Sequence, residues 1–285
     1  MNEVITTMSV IGGLGLVFGA GLGVASKVFA VKVNPLVPEV REALPGANCG
    51  ACGKAGCDAY AKAIVEEGAP INLCPVGGAK TLEQISKIMG MEAVAEAKKV
   101  AFVQCNGSCQ NAKEKYQYIG ITSCADAAYL PGGGPKACEY GCLGLGSCVK
   151  ACEFGAIDIV DGIAVINPEK CVACGKCVTA CPKKLIEIVP DDKKVRVRCR
   201  SLAKGKEVMD ACAVGCIACS KCVKECKFDA IHVVNNIAHV DYDKCKQCNM
   251  CVKVCPKQVI TEKVRIKKAS APKPPVEELP QVKEA

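Results

Sequence analysis

The chain has 285 residues but no Trp, five Phe and six Tyr, which is length for two or three small domains with little aromatic material for their cores. Its formal net charge of +8 would suit nucleic acid or an anionic surface, yet that figure counts all 25 cysteines as neutral. Such a cysteine density leaves two classes open, a disulfide scaffold or a metal-cluster protein.

From Val4 to Ser26, VITTMSVIGGLGLVFGAGLGVAS, run 23 residues without a charge, the length of a bilayer-spanning helix. This predicts a transmembrane anchor over residues 1–30. A signal peptide fits less well, because a basic n-region is missing and Glu3 stands in front. Lys27, Lys32 and Arg41 follow the span, so the positive-inside rule predicts a single-pass protein of the cell (inner) membrane with everything downstream cytoplasmic. Reduced thiols agree with that side. Gly15, Gly19 and Gly23 give two overlapping G-x-x-x-G steps, where another membrane helix can approach closely.

A linker with Pro35 and Pro38 leads into a unit over 31–100. Here Cys49, Cys52, Cys57 and Cys74 are spaced C-x2-C-x4-C-x16-C-P, with glycines that let the backbone wrap closely. A helix from about Asp58 returns the chain toward the fourth thiol. A 4Fe-4S site is expected, with a zinc knuckle as the alternative. Thr81 and Gln84 predict a capping box for a helix that Gly90 ends, and residues 91–100 are expected to be helical.

Further on, Cys171, Cys174, Cys177, Cys181 and again Cys245, Cys248, Cys251, Cys255 follow C-x2-C-x2-C-x3-C-P. This is the 4Fe-4S spacing of bacterial ferredoxins rather than a disulfide pattern. Adding 74 to Cys138, Cys142, Cys148, Cys152, Cys171, Cys174, Cys177 or Cys181 lands on another cysteine every time. A whole domain is therefore duplicated, over 101–190 and 191–263. One inserted residue would also pair Cys124 with Cys199. AIDIVDGIAVI and AIHVVNNIAHV read as hairpins turning at Asp161-Gly162 and Asn235-Asn236. The tail over 264–285, rich in Pro, Lys and Glu, is expected to be disordered.

Other chemistries find no footing. His232 and His239 fall in strand-like segments and read as surface residues, and no Walker or Rossmann fingerprint is present. PGGGP at 131–135 is a bend. Lys183, Lys184, Lys193, Lys194, Arg196, Arg198 and Arg200 read as a basic patch for an acidic partner or as a solvated strand. Five clusters at about −2 each would take the loaded chain to about −2, which removes the case for nucleic acid.

Two cysteine runs joined by a hairpin resemble a two-cluster bacterial ferredoxin, and that resemblance implies crossed ligation. One cluster of the second unit would take Cys216, Cys219, Cys222 and Cys255, and the other Cys245, Cys248, Cys251 and Cys226. In the first unit Cys171, Cys174 and Cys177 would join Cys152. Glu153 and Lys227 replace the usual proline after the fourth cysteine. Leu145 replaces the middle ligand between Cys142 and Cys148, which leaves Cys142, Cys148 and Cys181 one thiol short. Three arrangements are open: Cys138 completes the set; a sixth cluster uses Cys105, Cys109 and Cys124 with Cys138 or a thiol of the second unit; or the site holds 3Fe-4S. Cys199 and Cys212 are left without a role.

A glycine-rich membrane helix, the four-cysteine domain and ferredoxin units on one chain resemble the B subunit of the Rnf complex over nearly the whole length. The resemblance implies an α+β protein with one N-terminal transmembrane helix, a small helical 4Fe-4S domain and two tandem 2[4Fe-4S] ferredoxin-like domains. It implies an electron-transfer subunit of a membrane-bound, ion-translocating ferredoxin:NAD+ oxidoreductase, with soluble ferredoxin and the other Rnf-type membrane subunits as partners and NAD and flavin bound elsewhere. The alternatives are a polyferredoxin-type subunit of a hydrogenase or dehydrogenase, and a module whose clusters only hold the fold.

Overall fold

The structure is a computed structural model that describes residues 2–28, 34–92 and 97–261, so the tail over 264–285 and the middle of 91–100 lie outside it. Helix α1 (Asn2–Val28) runs 27 residues; of its side chains, Met8 and those of 12–27 are described. Leu14, Leu16, Val17, Phe18, Leu22 and Val24 stand exposed on it. Among the described residues no helix is long and apolar enough to cross a membrane, so the fold does not establish the anchor expected over 1–30.

Three helices build the next unit: α2 (Leu36–Ala43), α3 (Cys57–Glu67) and α4 (Gly78–Met89). They close over Val40, Tyr60, Ile64 and Ile85, which are almost fully buried. Gly68 and Gly90 end α3 and α4 in the left-handed region, at φ +68° and +65°, a conformation that glycine adopts without a Cβ penalty. The capping box expected at Thr81 does not form. Gly77 is the N-cap of α4 and Thr81 is buried one turn inside it, where packing takes the side chain that a cap would need.

At the described end of the helix expected over 91–100, Lys99 and Val100 instead open strand β1 (Lys99–Val103). Val100, Ala101, Phe102 and Val103 are all buried. A strand with both faces covered accommodates that run, whereas a surface helix would bury one stripe.

The first ferredoxin unit continues with α5 (Cys124–Ala128), α6 (Ser147–Lys150), the hairpin of β2 (Ile157–Val160) and β3 (Ile163–Ile166), α7 (Lys176–Ala180) and β4 (Ile186–Pro190). The second holds β5 (Arg196–Val197), α8 (Gly205–Ala211), α9 (Lys221–Glu225), β6 (Ile231–Val234), β7 (Ile237–Val240), α10 (Met250–Val254) and β8 (Ile260–Thr261). The strands form antiparallel pairs β1 with β4, β2 with β3, β5 with β8 and β6 with β7. Both hairpins turn where expected, with positive φ at Asp161, Gly162, Asn235 and Asn236, the two-residue turn whose twist matches the strands. His232 and His239 face each other across the second hairpin, exposed.

Register fixes the equivalence of the two units. Val103 pairs with Ile186 and Val197 with Ile260, and Ile186 and Ile260 are one repeat of 74 apart. Two residues beyond each strand partner, Cys105 is therefore the counterpart of Cys199. The pairing of Cys124 with Cys199 expected from the sequence is overturned.

The basic run is not a solvated strand. Arg196 and Arg198 are buried and lie over the Phe102 ring, 5.4 and 5.9 Å from its centroid. Arg198 Nε donates to Thr261 Oγ1 and its Nη1 to the Val103 carbonyl, while Arg200 Nη1 donates to Gln104 Oε1. These arginines join the two units, whereas Lys184 and Lys194 of the same basic group stand exposed.

Candidate metal centres

In the N-terminal unit, Cys57 opens α3, its N–H held at 2.8 Å by Asn48 Oδ1. Buried Tyr60 pins the returning loop: its hydroxyl donates to the Pro70 carbonyl and accepts from Leu73 N–H. Burial pushes the Tyr60 phenol up to about 12, and among its neighbours are Cys74 and Cys52. Burial likewise raises Cys74, with Cys57 and Cys49 adding repulsion against backbone N–H groups of Gly77 and Val76. The four expected thiols are thus gathered at one place.

The ferredoxin units build four loops on one backbone plan. Ala173, Ala218 and Gln247, each between the first two cysteines of a run, sit in the left-handed region, and so do Gly175, Ser220 and Asn249 just past the second cysteine. Gly144 and Gly146 flank Leu145 in the same conformation, at φ +73° and +80°. The loop that lost its middle thiol keeps its shape. After the fourth cysteine, Cys152, Cys181, Cys226 and Cys255 each accept a hydrogen bond at 3.4 Å from the N–H four residues on. The turn is the same with Pro182 and Pro256 as with Glu153 and Lys227, so proline is not what sets it.

The thiols group as follows. Cys216, Cys219, Cys222 and Cys255 line one hollow, and Cys226, Cys245, Cys248 and Cys251 another. Burial raises the Cys177 thiol to about 11, with Cys171, Cys174 and Cys152 repelling its anion. Burial raises Cys148 to about 12, with Cys142, Cys124 and Cys181 around it. Cys124 therefore lies beside the three thiols that Leu145 leaves one short, the place that one of the three open arrangements gives to Cys138. Helix α5 carries it in, moored by Cys124 N–H on Ser147 Oγ at 2.8 Å, and Leu145 packs against the cluster of Cys124, Ala127 and Leu143. Cys138 lies on a turn before Cys142 and faces another hollow, lined also by Cys105, Cys199 and Cys212. Cys109 is exposed, with its Sγ against Gly162. No fixed spacing marks Cys124 in the sequence; its only signal is being an unassigned thiol upstream.

Among the described residues no three His, Cys, Asp or Glu groups close on a single metal ion; the two sets of the second unit ring hollows instead. Buried thiols with raised pKa values stay neutral when empty, so four thiolates can share such a hollow only around a cationic core, with backbone N–H groups on the sulfurs. That chemistry fits a 4Fe-4S cluster.

Such thiol sets on a duplicated ferredoxin-type scaffold define an iron-sulfur electron carrier. Residues 44–76 match the family model "Putative Fe-S cluster", and 164–187 and 237–260 match two "4Fe-4S binding domain" models. The B subunit of the Na(+)-translocating ferredoxin:NAD(+) oxidoreductase complex of Acetobacterium woodii is 49% identical over 95% of this chain and 81% of its own. The B subunit of the ion-translocating oxidoreductase complex of Methanosarcina acetivorans is 47% identical over 91% and 98%. A proton-translocating counterpart from Clostridium ljungdahlii is 48% identical over 90% and 91%. The chain belongs to this family, the B subunits of ion-translocating, Rnf-type oxidoreductase complexes.

Proposed function

We propose that the chain accepts electrons from reduced ferredoxin and delivers them to membrane subunits of an ion-translocating ferredoxin:NAD+ oxidoreductase, with NAD and flavin bound on those other subunits. Bound 4Fe-4S clusters supply one-electron carriers whose potentials respond to burial and to hydrogen bonds on sulfur. We assign five sets: Cys49, Cys52, Cys57 and Cys74; Cys152, Cys171, Cys174 and Cys177; Cys124, Cys142, Cys148 and Cys181; Cys216, Cys219, Cys222 and Cys255; and Cys226, Cys245, Cys248 and Cys251.

The observation that carries this reading is adjacency. Cys49 of the N-terminal unit lies beside Cys174 of the first ferredoxin unit, close enough to raise its pKa after burial and to act on Lys176. Helices α6 and α7 hold the two sets of the first unit against each other, as α9 and α10 do in the second. The domain next to α1 is then the exit side. The exposed apolar residues of α1 and the uncharged run over 4–26 support an anchor in the cell membrane, with Lys27 and Arg41 holding the rest on the cytoplasmic face.

Potentiometric EPR on the anaerobically purified chain tests this. Several signals reducible by ferredoxin are expected. Redox-silent metal would overturn electron transfer in favour of a purely structural role.

A further inference from the structure

The duplicated units meet at a hollow that none of those five sets uses. Cys105, Cys138, Cys199 and Cys212 line it. Cys105 is the register counterpart of Cys199, and Cys138 stands one repeat of 74 before Cys212, so each unit contributes an equivalent pair. The strip 111–115 sets the pairs face to face. On one edge it bonds to the first unit, through Lys115 N–H to Pro135 O and Ala137 N–H to Lys113 O; on the other it bonds to the second, through Lys113 N–H to Ala211 O and Ala213 N–H to Asn111 O. The Sγ atoms of Cys105 and Cys212 both lie 3.6 Å from the point where a Cβ on Gly107 would stand, so they face one space.

Size and charge point the same way. The hollow holds about 20 Å³ of interior space, the same as those of the Cys216 and Cys245 sets. Lys136 and Arg198, 4% and 6% exposed, line it as well. Lys136 Nζ donates only to the Gly107 and Gly162 carbonyls, both at 2.8 Å, and Arg198 to a hydroxyl and a carbonyl. Among the described residues no carboxylate pairs with either. Two buried cations without a counter-charge are costly, and an anion in this hollow removes the cost.

We propose that Cys105, Cys138, Cys199 and Cys212 hold a sixth 4Fe-4S cluster between the two units, with Lys136 and Arg198 as its buried counter-charges. Four S–H protons leave as four S–Fe bonds form, which gives a site of about −2 that the two cations match. Its flanks are already occupied by sets from both sides: Cys142 N–H donates to Cys105 Sγ and Cys216 N–H to Cys199 Sγ, each at 3.4 Å. Without this site the two units have no thiol set at their junction. The inference rests on the iron-sulfur reading of the chain.

The test is a cluster count on the full chain, loaded anaerobically, by native mass spectrometry and iron analysis. Six cluster masses and about 24 iron atoms are expected, falling to five and about 20 when Cys199→Ala and Cys212→Ala are combined. Cys109→Ala should keep six. Five clusters in the unchanged chain, an unaltered count in the double variant, or loss of one on Cys109→Ala would each overturn the assignment. Should the double variant fail to fold, the mass of the unchanged chain decides. No ferredoxin enters this measurement, so six clusters that ferredoxin cannot reduce would defeat the electron-transfer reading and leave the site standing.

Discussion

Arg196 lies over the ring of Phe102, its guanidinium carbon 5.4 Å from the centroid. The contact joins β5 of one unit to β1 of the other, and the arginine also donates to the Lys193 and Pro190 carbonyls. Burial pulls the Arg196 pKa down, with Tyr242, Asp191 and Asp192 opposing. Charge reversal here attacks the fold rather than a docking surface. Phe102→Ala should cost about 3–5 kcal/mol, and Arg196→Glu should lower the anaerobic denaturant midpoint strongly by burying an unpaired carboxylate. Lys184→Glu, at an exposed position, should leave the midpoint nearly unchanged and weaken the salt dependence of reduction by ferredoxin. Equal stability of all three variants would remove the junction role.

Cys124 enters the first unit on a helix of five residues that Ser123 caps weakly, at 3.5 Å from the Asp126 N–H. Its thiol is buried with Leu143 and Ala127. Cys124→Ala should leave Cys142, Cys148 and Cys181 with three thiols and convert that site to 3Fe-4S. About one iron per chain should be lost and a new oxidised-state EPR signal should appear. An unchanged spectrum and iron content would show that Cys124 ligates nothing.

What could be read from the chain followed what is local. C-x2-C-x2-C-x3-C runs, hairpins at Asp161-Gly162 and Asn235-Asn236, and the helix ended by Gly90 depend on neighbours within a few residues, and the structure has them. The 74-residue period marked the duplication because identical ligand sets repeat identical spacings. The ligand proposed for the Cys142 set, Cys124, was hidden because such a role needs only spatial proximity, reached through Ser147, 23 residues away. Arg196 and Arg198 looked like surface charge because a sequence does not show that Phe102, nearly a hundred positions earlier, supplies their cover. Lys99 and Val100 looked helical from the Ala- and Lys-rich residues before them, while the strand they open, with its buried Val and Phe, is claimed by β4.

Removing the metal should make stability depend on pH in the alkaline range. Burial first, then neighbouring thiolates, raises Cys148 from 9.0 to about 12 and Cys177 and Cys251 to about 11. Below the unfolded thiol value both states keep their protons and pH has no leverage. As pH climbs from about 9 toward 12 the unfolded chain ionises first, so the stripped fold loses about 1.4 kcal/mol per unit for each such thiol. In the loaded chain these sulfurs are already ligated thiolates, and the same window should be nearly flat. Denaturant unfolding of stripped and loaded chain at pH of about 7.5 and about 10 reads the difference. Parallel pH profiles for the two forms would contradict it.

Leu145 gives the sharpest test of the ligand sets, because its loop never changed shape. Gly144 and Gly146 hold the conformation that Ala218 and Ser220 hold around Cys219, so a thiol placed at 145 would point where Cys219 points in the second unit. Leu145→Cys removes part of the packing on Leu143 and Ala127, a cost of about 1–2 kcal/mol. In the Cys124→Ala background it should return the missing iron and abolish the 3Fe-4S signal. The same substitution in a Cys138→Ala background should restore nothing, because Cys138 faces the hollow at the junction of the units rather than the Cys142 set. Rescue of Cys138→Ala, or failure to rescue Cys124→Ala in a chain that folds, would return the missing ligand to Cys138.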